Sequence, residues 1–116
     1  MSITTPERTL ELEVEKVLRS LCINGTLKGL DYLIYSVSET VRDPHRTYLI
    51  TKDLYREIAR VYHTTAPRVE RDMRWAVCIS WERAREDLDR MAGYHLVKRP
   101  TSREFVDLVA FYIRSR

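Results

Sequence analysis

Two helical stripes joined by a break of a few residues leave a chain little freedom, and ITKDLYREIARVYHTTAPRVERDMRWAVCISW, Ile50 to Trp81, contains such a pair. In its first part Leu54, Ile58, Val61 and Tyr62 recur at helical spacing, with Thr51 as candidate cap. In its second part, turned by about 100° per residue, Val69, Met73, Ala76, Val77 and Ser80 gather on one side and Arg71, Arg74, Trp75 and Cys78 on the other. Between the two, His63 and Thr64 make a tight turn. Thr65 can then cap the second helix with its hydroxyl, and Pro67 falls in the first turn, where a missing N–H costs little. Helices joined this tightly cross at close range. Ala59 suits the crossing because only a small side chain fits there, and Ile58, Tyr62, Val69 and Met73 can fill the space around it. His63 takes the place where glycine is usual, and histidine is among the residues enriched at positive φ.

The rest of the chain reads as four further helices. In the first, Thr4 and Glu7 form a capping box beside Pro6. Leu10, Val14, Val17, Leu18 and Leu21 then make the buried stripe, and Asn24 and Gly25 end the helix by adopting the left-handed conformation. The second carries Leu30, Leu33, Ile34, Val37 and Val41 and stops near Asp43, because Pro44 disfavours continuation. Its Tyr32 and Tyr35, with Tyr48 beyond, read as the edge of the core. A short fifth helix ends at Gly93. After a basic connector and Pro100, Thr101 and Glu104 form a second capping box for a last helix that buries Phe105, Leu108, Val109, Tyr112 and Ile113. The expected fold is all-α, about six helices over residues 1–116 as a single domain, with a helix-turn-helix formed by the third and fourth.

Three glycines, four prolines and 44% hydrophobic residues fit such a fold better than a sandwich or a disordered tail. Cys22 and Cys78 have neither disulfide-framework nor zinc spacing, so a reduced, cytoplasmic setting and no metal are expected. The amino terminus lacks the apolar stretch of a signal peptide, and no apolar run approaches the length of a membrane helix. His45, His63 and His95 form no triad or ligand spacing, and there is no glycine-rich phosphate loop, so neither enzyme activity nor a cofactor is expected. The charge is uneven. Up to Ile50 there are six Lys and Arg against seven Asp and Glu, and from Thr51 onward fourteen against ten, which is compatible with phosphate binding in the second half.

A helix-turn-helix puts the start of its second helix into the major groove. The reading positions are then Arg68, Glu70 and Arg71. Arginine can pair bidentately with guanine and a carboxylate can accept from the cytosine amine, so a G·C-containing box is implied. Arg74 and Trp75, one turn on, would lie against the backbone or the groove wall, as would Thr51 and Thr65 at the helix starts. Alternatively, a neighbouring helix covers Trp75. Lys98 and Arg99 are either phosphate contacts or a solvated loop.

The Ile50 to Trp81 segment resembles the helix-turn-helix of the effector domains of the stage-zero sporulation protein A family, the sporulation response regulators. LKGLDYLIYSVSE is similar to that family's second helix and GYHLVKRPTSREFVDLVA to its carboxy-terminal connector and last helix; together the likeness runs from about Glu13 onward, and TTAPRVERDMRWA is its most specific part. The resemblance implies six helices, binding to a short asymmetric box of the TGNCGAA type as a head-to-tail dimer, and no catalysis. The base-reading Arg, Glu and Arg fall on Arg68, Glu70 and Arg71. Trp75 stands where a member of that family has a histidine, and Cys78 where it has an acidic residue. The segment after the recognition helix, implied to touch the RNA polymerase sigma subunit, reads ERAREDLDRMAG and is rich in charge. Effector-like sequence begins near Met1, so no receiver domain is expected and no phosphorylation switch is assigned.

The rival reading is a helix-turn-helix scaffold that serves as a protein-interaction module, or that occupies the same boxes as a competitor of a full-length regulator. Double-stranded DNA is the expected partner because an interaction-only domain has no use for Arg68, Glu70 and Arg71 together. No membrane partner is expected.

Overall fold

A computed structural model describes residues 6–45 and 53–116. Six α-helices follow one another: α1 (Pro6–Ser20), α2 (Lys28–Arg42), α3 (Tyr55–Val61), α4 (Ala66–Arg83), α5 (Arg85–Ala92) and α6 (Ser102–Arg114). Among the described residues there is no strand. The capping box at Thr4, Tyr48 and the cap at Thr51 lie outside the described residues.

The middle of the fold is α2, which packs against α1, α4 and α6. Leu30, Leu33 and Val37 of the expected stripe are buried, and Ile34 and Val41 pack at its margin. Tyr32, Ser36, Ser38 and Thr40 are buried too, so more than one face of this helix is covered. The hydroxyls of Ser36 and Thr40 answer their burial by donating back to the carbonyls of Tyr32 and Ser36, each at 2.8 Å. Gly29 marks the closest approach. A Cβ there would lie 2.3 Å from the backbone carbonyl oxygen of Asp72 and 3.0 Å from the Ala76 Cβ, so α2 and α4 nearly touch backbone to backbone.

The helix ends follow local chemistry. At the end of α1 the left-handed residue is Cys22 (φ 68°), not Asn24 or Gly25. The N–H of Ile23 reaches back to the Leu18 carbonyl (3.2 Å) and that of Cys22 to Arg19 (3.1 Å), which is the Schellman pattern. Its apolar anchor, the fully buried Ile23, sets the stopping point two residues ahead of the Asn-Gly pair. Asn24 instead accepts from the Thr26 N–H at 2.9 Å. Gly93 (φ 83°) ends α5 as expected, and the Thr101–Glu104 capping box is complete in both directions. Besides Phe105, Val109 and Ile113, α6 buries Val106 and Ala110, while Leu108 and Tyr112 are half-buried.

Gly29→Ala should lower the urea midpoint, because the added methyl must displace main chain. Overpacking of this kind costs about 1–3 kcal/mol, which outweighs the gain in helix propensity of up to about 1 kcal/mol. An unchanged or raised midpoint would mean that α2 and α4 can separate freely.

Candidate nucleic-acid interface

The α3–α4 unit is built by a turn that two hydrogen bonds hold. The Tyr62 N–H reaches the Ile58 carbonyl and the Thr64 N–H reaches the Ala59 carbonyl, both at 2.9 Å, while His63 sits at φ 55° in the expected left-handed place. Thr65 then starts α4: its side chain accepts from the Arg68 N–H at 3.4 Å, and Pro67 lies in the first turn. Ala59 is buried, as a tight crossing requires.

The buried stripe of α3 differs from the expected one. Leu54 and Ile58 are fully buried, but Val61 and Tyr62 are 50% and 40% exposed, and Tyr55 and Ala59 take their place in the core. The helix stops at Val61, so its last apolar residues fall at the surface end of the turn. Tyr62 meets Tyr32 edge-on with ring centroids 5.3 Å apart. Glu57 accepts a 2.6 Å hydrogen bond from the Tyr35 hydroxyl and so ties α3 to α2.

On α4, Val69, Met73, Ala76, Val77 and Ser80 are all buried. Arg68, Glu70, Arg71, Arg74 and Trp75 are exposed, and Cys78 is half-buried. Among the described residues no neighbouring helix covers Trp75, which is 58% exposed. The one-turn surface from Arg68 to Arg71 is therefore open, with its side chains held by weak local pairs. The Arg71 Nε lies 3.3 Å from the Asp72 carboxylate, and an Arg74 guanidinium nitrogen lies 3.4 Å from that of Glu70. Exposed pairs of this kind contribute up to about 1 kcal/mol, whereas a bidentate base contact discriminates by about 1–3 kcal/mol. Such pairs can order the free side chains and still yield to bases.

Lys98 and Arg99, adjacent in sequence, line different surfaces. Lys98 lines a groove with Tyr94, His95, Val97, Glu104, Leu108 and Phe111, whose apolar members Tyr94, Val97 and Phe111 are more than half exposed. Asp89 holds two residues of that groove's lining: it accepts from the Leu96 N–H (2.9 Å) and pairs with His95 Nδ1 (2.7 Å), contacts that hold its carboxyl below the usual range. Arg99 lines a cleft of about 410 Å³ on the α4 side, together with Tyr55, Glu70, Arg74, Val77, Pro100, Thr101, Ser102 and Arg103. Arg103 and Tyr55 were not among the residues singled out from the sequence, because their place here depends on how α6 meets α3. The charged segment from the end of α4 through α5 presents Glu82, Arg83, Arg85, Glu86 and Arg90 outward and buries Leu88 and Met91. Trp81 is half-buried under the Arg85 guanidinium, 4.1 Å from the ring centroid.

Three phenols around the unit have raised pKa values. Burial is the main cause for Tyr32, Tyr55 and Tyr62, followed by Asp72 for Tyr32, Glu70 for Tyr55 and Asp31 for Tyr62. The hydroxyl of Tyr55 bonds to Ser102, which partly offsets its shift.

Phenols raised on folding stay neutral in the folded state after the unfolded chain has begun to ionise. Their stabilisation is complete below about pH 10, the ordinary tyrosine value, and is lost as pH rises through the folded values. Urea midpoints should therefore fall steeply from about pH 10 upward, and Tyr55→Phe should flatten that fall; a variant with the wild-type slope would place the ionisation elsewhere. A family model described as "Sporulation initiation factor Spo0A C terminal" matches residues 14–113.

Proposed function

The chain belongs to the Spo0A C-terminal family, a family of DNA-binding domains of sporulation regulators, and from that premise we propose that it reads a short G·C-containing box through the major groove with the start of α4. The observation that carries this reading is the open surface of Arg68, Glu70 and Arg71, one turn of helix capped by Thr65 and joined to α3 by a hydrogen-bonded turn. In this reading Arg68 and Arg71 pair with guanine and Glu70 accepts from a cytosine amine, while the α4 N-terminus at Thr65 faces a phosphate. Arg74 and Trp75 lie along the groove wall.

Head-to-tail pairing on tandem boxes and contact with the polymerase sigma subunit through the charged face of Glu82 to Arg90 belong to the same proposal. The exposed apolar residues Tyr94, Val97 and Phe111 favour a second reading beside the first, in which the chain also meets a protein while it occupies its boxes. A chain that binds boxes without raising transcription of a reporter would act as a competitor.

Selection from random duplex DNA with the purified chain should recover a G·C-containing motif. On that motif Arg71→Ala should reduce affinity about 10- to 100-fold, the loss of one bidentate pair, with a much smaller loss on random duplex. Equal losses on both would rule out base reading by Arg71. Trp75 emission should also change on binding the recovered box. An unaltered Trp75 signal, read in a Trp81→Phe background, would place the indole away from DNA.

A further inference from the structure

Three arginines from three separate elements converge on the cleft beside α4: Arg74 from the third turn of the recognition helix, Arg99 from the connector, and Arg103 from the first turn of α6. Among the described residues one carboxylate, Glu70, shares the lining, and Arg74 already pairs with it at 3.4 Å. The other acid of the α6 first turn is directed away. Glu104 accepts from the Thr101 N–H at 2.9 Å and lines the opposite groove, so the capping box keeps its charge out of the cleft. The opposite groove shows no such excess, since Lys98 is offset there by Glu104 and Asp107. Hydroxyls of Tyr55, Thr101 and Ser102 complete a polar wall. A cationic cleft with hydroxyl donors is suited to a phosphate.

The position of the cleft selects the phosphate. Glu70 belongs both to the reading turn and to the cleft wall, and Arg74 stands one turn beyond Arg71. With α4 in the major groove, the strand bordering that groove passes beside these residues. The geometry points to a single backbone phosphate of the bound duplex seated in this cleft, held jointly by Arg74, Arg99 and Arg103. The inference rests on the DNA-reading proposal and extends it with a positioning contact that sets the register of α4 on its box. A phosphate that draws on the Arg74 guanidinium also loosens its hold on Glu70, freeing that carboxylate to accept from a base. Seating the backbone and reading the base then reinforce each other.

The joint hold has a distinctive signature. Each neutralised phosphate contributes about 0.9 to the slope of log affinity against log salt. Arg99→Gln and Arg103→Gln should each reduce the slope by less than that, and the double variant by about 0.9, one phosphate's worth, with equal affinity losses on the selected box and on random duplex. Lys98→Gln removes the same charge from the neighbouring residue and should change the slope by less than half as much as Arg99→Gln. A double-variant loss near two phosphates would mean separate contacts and overturn the shared cleft, as would no loss, or a Lys98 effect equal to that of Arg99. Inorganic phosphate, titrated as competitor at constant ionic strength, should leave DNA affinity unchanged at millimolar levels. Displacement of DNA would make the cleft a site for free anions and overturn the assignment to the backbone. Sequence discrimination through Arg71 is measured separately, so a full salt slope in a double variant that still discriminates removes this inference and leaves base reading standing, whereas a wild-type chain without sequence preference removes the reading itself.

Discussion

Near-contact between the main chains of α2 and α4 at Gly29 and Asp72 is the constraint on which the rest of the structure depends. Because α2 is the helix against which α1, α4 and α6 all pack, its distance from α4 fixes where α4 and its outward face sit in the molecule. The small residues Gly29 and Ala76 permit that distance, and the buried side chains of Val69, Met73 and Val77 then pack along it. Interiors pack densely, so a shift at this contact would be transmitted along α4. The outward residues of α4 owe their exposure to this seating, since the helix is pressed in along one side.

Much of this arrangement was legible in the sequence. The inward side of α4 was readable residue by residue, because an 18-residue helix gives its periodicity five turns in which to show. The seven-residue α3 gives it two, and there the reading slipped: Val61 and Tyr62 keep helical spacing from Ile58 but sit where the chain is already turning. Tyr55, in contrast, is drawn into the core under the start of α6, a contact that no local pattern encodes. The end of α1 went astray for a related reason. The Asn-Gly pair is a strong local stop signal, but burial of Ile23 stabilises an earlier stop and leaves a cysteine in a backbone region that disfavours it.

The candidate interface divides along the same line. Arg68, Glu70, Arg71, Arg74 and Trp75 could be named because one helix presents them all, and a helical wheel suffices to group them. Whether anything covered Trp75 was a question about neighbouring helices, and the wheel could not decide it. The cationic cleft was invisible in advance because its arginines come from three elements that meet only in the folded chain. Lys98 and Arg99 illustrate the limit: consecutive in sequence and alike in charge, they are assigned to different surfaces by the path of the connector ahead of Pro100.

The left-handed backbone at His63 has a further consequence. A glycine at this hinge would sample a wide range of torsions, and the two arms of the motif could swing before docking. An imidazole-bearing residue confined to one small basin, with its neighbours' amides already engaged, restricts that swing. The angle between the arms is thereby settled when the polypeptide folds, and little ordering entropy would remain to be lost on binding a partner.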